Sequence, residues 1–204
     1  MANSSTYRTI KSISEGFYKE KGSKFFAFAV PCKTEEEVKK RLAAWRKEHF
    51  QAVHVCYAFR LGSDKKVFRA SDDGEPSNSA GPPILGQIQS FDLTNILIGV
   101  VRYYGGTNLG VGGLIHAYRT AAKEALEEAI IIEEEDHCIV ELLFEYDQMP
   151  AVMAVVKAIP LLVEEQQFEL SCRLKGTYPV SNHHALAQLQ DLKNVELIEH
   201  GIRT

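Results

Sequence analysis

The chain reads as an α+β protein of two domains, and three observations predict this. Segments with the two-residue period of strands are interspersed with segments of helical period along its 204 residues. The acidic run Glu133, Glu134, Glu135, Asp136 reads as a linker between a first domain over residues 1–132 and a second over 137–204. The second domain runs β-α-β-β-α-β, a split β-α-β unit. The length allows one or two compact units of roughly 100–200 residues each. With 45% hydrophobic and 25% charged residues the chain has an ordinary core, which excludes a disordered protein.

Residues 7–32 read as two strands, the segment around SISEGFYKE and then SKFFAFAV, joined through Lys21 and Gly22, with Pro31 ending the second. TEEEVKKRLAAWRKEHF is a helix on three signals. Thr34 and Glu37 form a capping box, Val38, Leu42 and Trp45 recur on one face, and Lys and Arg fill the other face and the last turn. VHVCYAFRL and KKVFRASDDG form a hairpin turning at Gly62-Ser63-Asp64. Setting Leu61 opposite Lys66 puts His54 across from Asp73 at the far end. Residues 74–91 are a loop entering a helix at Pro82 or Pro83. ILIGVVRYY, apolar on both faces, is a central strand. GGTNLGVGG is a turn opening the long helix LIHAYRTAAKEALEEA, whose Leu114, Tyr118, Ala121, Ala122, Ala125 and Ala129 form a buried stripe.

In the second domain Val140, Leu142, Phe144 and Tyr146 alternate along a strand and a helix starts near Pro150. LLVEEQQFEL and SCRLKGTY are strands, a helix starts at Ser181, and VELIEH closes the order, which is the ferredoxin-like one.

No apolar run approaches the roughly 20 residues of a membrane-spanning helix. The start MANSSTYRTIK has no apolar leader stretch, so a cytoplasmic protein without membrane contact is expected. Cys32, Cys56, Cys138 and Cys172 lie far apart with no CxxC or Cys/His cluster, which predicts neither a disulfide framework nor a metal site. The net charge of −4 hides a division: residues 1–53 carry 11 basic and 6 acidic side chains, 54–123 carry 7 and 5, and 124–204 carry 5 and 16. A basic first part points to a polyanion as its partner, and the acidic domain is a candidate surface for a protein partner.

Nine of the fourteen glycines fall between Gly74 and Gly113, a density that requires backbone approach to a ligand or very tight packing. Gly105, Gly106, Gly110, Gly112 and Gly113 precede a helix N-terminus, whose free N–H groups and positive dipole end suit an anion. Arg102 precedes this turn, Asn108 lies in it, His116 and Arg119 follow in the helix, and Tyr103 or Tyr104 offers a ring for base stacking. The turn has neither the Gly-Lys-Ser/Thr of a Walker loop nor dinucleotide-binding spacing. SDDGEP supplies Asp72, Asp73 and Glu75, with His54 beside them. These groups fit either an acid/base cleft or an Asx-turn network capping the hairpin and the next helix. His183 and His184 belong to a helix surface. No GxSxG, HExxH, or cysteine with an obvious base is present.

HVCYAFR, SDDGEP with AGPPIL, and above all ILIGVVRYYGGTNLGVGGLIHAYRTAA resemble the signature of the Impact/YigZ family, over roughly residues 54–125. The acidic remainder resembles the family's bacterial C-terminal domain. His54, Asp72, Asp73, Gly74, Glu75, Pro76, Ala80, Gly81, Arg102, Tyr103, Gly105, Gly106, Gly110, Gly112 and Gly113 match the family pattern. Three positions depart from it: Asn78-Ser79 stand where Gly-Thr is frequent, Asn108 where Lys is common, and His116 where Arg is common. The last two remove positive charge from the turn.

The resemblance implies a first domain with the fold of the second domain of ribosomal protein S-five and a ferredoxin-like second domain. That pair resembles the last two domains of elongation factor G. Eukaryotic relatives act in translational control and carry an extra domain, which this chain is expected to lack. The expected function is that of a cytoplasmic RNA- or ribosome-associated protein in translation, non-enzymatic and without cofactor, holding phosphates through Arg102, Arg119 and the turn amides. Two alternatives stand beside it: an enzyme of unassigned reaction, such as a hydrolase, using His54 with Asp72, Asp73 or Glu75; and a protein-binding adaptor.

Overall fold

The computed structural model describes residues 6–202, so the first five residues of the start discussed above lie outside the described part. The chain divides into two compact units between Glu134 and Glu135.

Among the described residues the first unit has seven strands: β1 (Thr6–Ile10), β2 (Ser14–Glu20), β3 (Ser23–Pro31), β4 (His54–Leu61), β5 (Val67–Ser71), β6 (Ile96–Tyr103) and β7 (Ile131–Glu135), the last ending one residue past the boundary. Five form an antiparallel sheet in the order β2-β3-β6-β4-β5. The apolar strand β6 is central, as its sequence predicts, and all but its last residue is buried. It is covered on both faces. Helix α1 (Glu35–Glu48) packs Val38 and Trp45 against Val30, Val55, Leu97 and Val101. Helices α2 (Gly81–Ser90) and α3 (Gly110–Glu127) pack the other face, where alanines of α3 meet Ala27, Ile98 and Val100. A Cβ at Gly99 would lie 2.3 Å from the Trp45 ring, so this strand position admits the indole only as glycine.

Local chemistry accounts for the ends of these elements. Thr34 Oγ1 accepts the Glu37 N–H at 3.2 Å, while the Glu37 carboxylate accepts the Lys33 N–H at 2.7 Å, a capping box displaced by one residue on its return arm. Lys21 and Gly22, with φ of 45° and 84°, make the two-residue turn between β2 and β3.

Three expectations are corrected here. TYRTI, expected to belong to the first of two strands over residues 7–32, is a separate strand, β1, and it pairs with β7, so the acidic run is largely strand instead of linker. Glu134 accepts the Tyr7 hydroxyl at 2.9 Å and pairs with Lys33 at 3.4 Å, partners invisible to a reading of charge alone. The hairpin pairs Leu61 with Val67, one residue beyond the expected register, because Gly62 and Lys65 both take positive φ and the loop spans residues 62–66. Finally, Gly110, Gly112 and Gly113 form the first turn of α3 itself, leaving a shorter loop before it.

The second unit contains β8 (His137–Glu145), α4 (Met149–Ala158), β9 (Leu162–Phe168), β10 (Ser171–Pro179), α5 (Ala187–Gln190) and β11 (Val195–Ile202). Its antiparallel sheet has the order β11-β8-β10-β9. Val140, Leu142 and Phe144 face Val152, Val156 and Leu189 in its core. Tyr146 leaves the expected alternation, entering a 3-10 turn over Tyr146–Gln148 with its ring exposed. The helix expected from Ser181 is a 3-10 segment, Val180–Leu186, interrupted at Asn182 (φ −98°, ψ 15°) before the four-residue α5. His183 and His184 are exposed there. Among the described residues no helix is long and apolar enough to cross a membrane.

Candidate functional site

The site is built on the path from β6 through residues 104–109 into α3. In β6, Ile98 and Val100 point to the α2/α3 face and Leu97 and Val101 to the α1 face. Alternation therefore sends Arg102 to the α2/α3 side and Tyr103 to the other. The following loop leans on the β2–β3 turn: the Gly105 N–H donates to Ser23 Oγ at 3.1 Å, and a Cβ at Gly105 would lie 2.0 Å from the Gly22 carbonyl carbon. This glycine serves backbone-to-backbone contact. Helix α3 then begins after Leu109 with no side-chain cap, so the N–H groups of its first turn have no partner within the helix. Gly110, Val111 and Gly112 are exposed.

Below this helix end lies a cleft of about 490 Å³, lined by Val53, His54, Glu75, Arg102 and Tyr104 together with residues of the α3 start. Arg102 is only 6% exposed. Its Nη1 donates to Glu75 Oε1 at 2.5 Å, and the Tyr118 hydroxyl donates to the same oxygen at 2.7 Å. The guanidinium carbon lies 5.5 Å from the ring centroids of both Phe25 and Tyr104. A buried cation is tolerated only with such compensation. One group lacks it: among the described residues Arg102 Nε has no hydrogen-bond partner, though it is buried. Burial pushes the Tyr118 hydroxyl far above its ordinary range, keeping it a neutral donor.

His54 stands at the wall. Its Nδ1 is 2.7 Å from the Asp73 carbonyl oxygen. A carbonyl only accepts, so Nδ1 carries the proton, and in the neutral ring Nε2 keeps a lone pair. Nε2 is 3.9 Å from Glu75 Oε2.

The remaining carboxylates brace the backbone. Asp72 Oδ1 accepts the N–H groups of Ala80 (2.9 Å) and Gly81 (2.8 Å), and its Oδ2 accepts that of Asn78 (2.8 Å), which fastens the start of α2 to the hairpin. Asp73 Oδ2 accepts the Val55 N–H at 2.7 Å, and Arg46 donates to Oδ1 at 2.5 Å. Cys56 contacts the Asp72 carbonyl at 3.0 Å, and burial drives its thiol pKa well up.

The residues singled out from the sequence are thus divided among several places. Arg102, Asn108 and Gly110 line the cleft with His54 and Glu75, and Tyr104, 49% exposed, donates its hydroxyl to Asn108 Oδ1 at 3.1 Å. Arg102, expected to hold phosphates, is buried with its guanidinium on Glu75 and does not present its charge to solvent. Tyr103 belongs to the α1 side, with its hydroxyl 2.9 Å from His49 Nδ1. His116 sits edge-on to Tyr18 at 5.6 Å. Arg119 lines a separate hollow between α2 and α3 with Asn78 and Gln87. Gly106 takes a positive φ of 83°, and Gly112 and Gly113 sit in the first turn of α3.

The sequence reading missed a neighbouring hollow of about 380 Å³ lined by Gly22, Lys24, Phe26, His49, Tyr103 and Tyr104. Its signal was the alternation of Lys24, Phe26 and Phe28 along β3. Among the described residues no group of three or more His, Cys, Asp or Glu is arranged to hold a metal ion.

Apart from β2, the sheet closed by α1 on one face and by α2 and α3 on the other, with this cleft at the α3 start, lies in the stretch that matches the Impact N-terminal domain, residues 21–126. The chain belongs to that family. An IMPACT family member from Haemophilus influenzae is 33% identical over 159 residues, 76% of this chain and 76% of that one. One from Thermus thermophilus is 47% identical over 107 residues, 52% of this chain and 56% of that one. The chain spans less than two thirds of the length of the Thermus relative and of a Bacillus subtilis one. A crystal structure described as that of a hypothetical protein matches 95% of this chain and 97% of its own, with 27% identity and a TM-score of 0.76.

Proposed function

We propose that this chain is an RNA-binding protein acting in translation in the cytoplasm, without catalysis, and that the cleft at the start of α3 seats an RNA phosphate. The observation that carries this is an uncapped helix N-terminus opening onto a cleft that also holds a buried arginine with an unpartnered Nε. Glu75 cancels the Arg102 charge, so attraction comes from the free amides and from a helix dipole equivalent to about half a charge. One such contact is weak, and RNA or ribosome binding then needs further phosphate contacts. The translational role of the family's eukaryotic members supports the setting. In the second unit, the strand order β11-β8-β10-β9 supports a ferredoxin-like reading, and with an S-five-like first unit the pair would parallel the end of elongation factor G.

Gel-shift titration with a structured RNA tests this, at salt between about 50 and 200 mM. A shift at low salt that weakens steeply with salt is expected, and no shift at low salt overturns the proposal. Gly112→Asp is the informative variant. Its Cβ meets nothing within 4 Å and an acid suits a helix start, so the protein stays folded while the phosphate is repelled.

One observation favours a second reading. A carbonyl-held His54 with a free Nε2 beside the cleft has the arrangement of a general base, as a hydrolase would use. Turnover of p-nitrophenyl acetate or bis(p-nitrophenyl) phosphate that His54→Gln abolishes supports it; no turnover by the native protein removes it.

A further inference from the structure

Helix α1 covers only part of its face of the sheet. Trp45 stacks on Phe28 with centroids 5.7 Å apart, and His49, the C-cap, lies against Phe28 and Tyr103. Beyond His49 the helix has ended, and the edge of this face at β2 and the start of β3 is open. Register places two cross-strand rows there. Phe17 is opposite Phe26, which is opposite Val101; Lys19 is opposite Lys24, which is opposite Tyr103. The Phe17 and Phe26 rings are 4.9 Å apart, Phe26 and Tyr103 meet edge-on at 5.8 Å, and Phe17 is 46% exposed.

Two features of this surface are unfavourable in the free protein. Bare rings at a sheet edge expose apolar area to water. Lys19 and Lys24 face each other across a strand pair, which is destabilising, and among the described residues neither they nor Lys21 in the adjoining turn pairs with a carboxylate. A single class of partner relieves both. Unpaired bases stack on rings whatever their sequence, and their phosphates neutralise ammonium groups. A duplex would offer only phosphates, and an acidic peptide would leave the rings unused.

We infer that this face, with Phe17, Lys19, Lys24, Phe26 and Tyr103, stacks the unpaired bases of single-stranded RNA. The inference rests on the RNA reading above and extends it. Tyr104 lines both the 380 Å³ hollow here and the α3 cleft, so the ring face and the amide cleft are contiguous. One nucleotide strand that stacks in the first has the second within its path.

The test is fluorescence anisotropy of end-labelled decaadenylate and of a ten-base-pair RNA duplex against the full chain at low salt. Phe17→Ala weakens decaadenylate binding about five- to a hundredfold and leaves the duplex unchanged, and Phe17→Trp restores the affinity. Lys24→Ala lowers the salt slope for the single strand by about 0.7. Thermal melts establish that each variant is folded, and Phe17→Leu, which keeps apolar contact with Phe26 but removes the ring, replaces Phe17→Ala should the latter not fold. Decaadenylate binding unaffected by the ring variant overturns the inference, as does equal weakening of single strand and duplex, or a labelled decaglutamate peptide bound with the same ring dependence. If Gly112→Asp alone weakens binding, the α3 cleft stands and the ring face falls. If the native protein binds neither RNA, both fall.

Discussion

At the scale of single residues the cleft is governed by Glu75, which accepts from Arg102 and Tyr118 through one oxygen. Glu75→Gln keeps an acceptor for Tyr118 but leaves the arginine charge buried and uncompensated. Removing one partner of a buried pair costs about 3–5 kcal/mol, so the urea midpoint of the variant falls sharply. Urea unfolding of Arg102→Met with Glu75→Gln checks the cause, because the double variant recovers much of that loss. The thiols give a second prediction. Burial pushes Cys32 up to about 11 and Cys56 higher still, so neither reacts with a disulfide reagent at pH 8 until the protein unfolds. The residue types of the site were legible from the sequence, since Glu75 and Arg102 stand in its densest glycine stretch and the hairpin brings His54 beside them. Their partners were not. Asp73 offers His54 its carbonyl instead of its carboxylate, because the hairpin register differs by one residue and the positive φ of 46° at Asp73 turns the chain. No periodicity in the sequence encodes that.

At the scale of elements, strands and helices with both a cap and a stripe were legible, as for α1 and β6. Breaks set by distant partners were not: the segment before β2 forms a strand of its own, β1, because β7 pairs with it. The contact between α1 and β6 depends on Gly99. Gly99→Ala drives a methyl into the Trp45 ring, an overpacking cost of about 1–3 kcal/mol that a thermal melt reads directly. In the second unit Glu141 on β8 binds across to both neighbours, accepting from Arg173 on β10 and lying 2.8 Å from His200 Nε2 on β11. The hydrogen bond from Arg173, then that from His200, holds the Glu141 carboxyl below its ordinary 4.5. A depressed carboxyl stabilises the fold above its unfolded value and loses that contribution as pH falls through its folded value. Urea midpoints should therefore drop on acidification below 4.5, and Glu141→Gln should flatten that drop.

At the scale of the whole molecule, the boundary between the units changes the meaning of the charge division. Residues 1–134 carry 18 basic and 16 acidic side chains, a net +2, and 135–204 carry 5 and 11, a net −6. The acidic end of α3 and most of β7 belong to the first unit and dilute its positive charge. Attraction of a polyanion must then come from local clusters, and the lysines around the β2–β3 turn are such a cluster. Loss of binding upon charge reversal at Lys24, measured against reversal at Lys123, whose ammonium already pairs with Glu127 at 3.0 Å, would show this. The backbone abutment of Gly22 on Gly105 brings the lysine-bearing turn and the loop feeding α3 under one constraint. Neither loop can be lengthened or re-aimed alone, and whatever seats itself against one should slow amide exchange in the other.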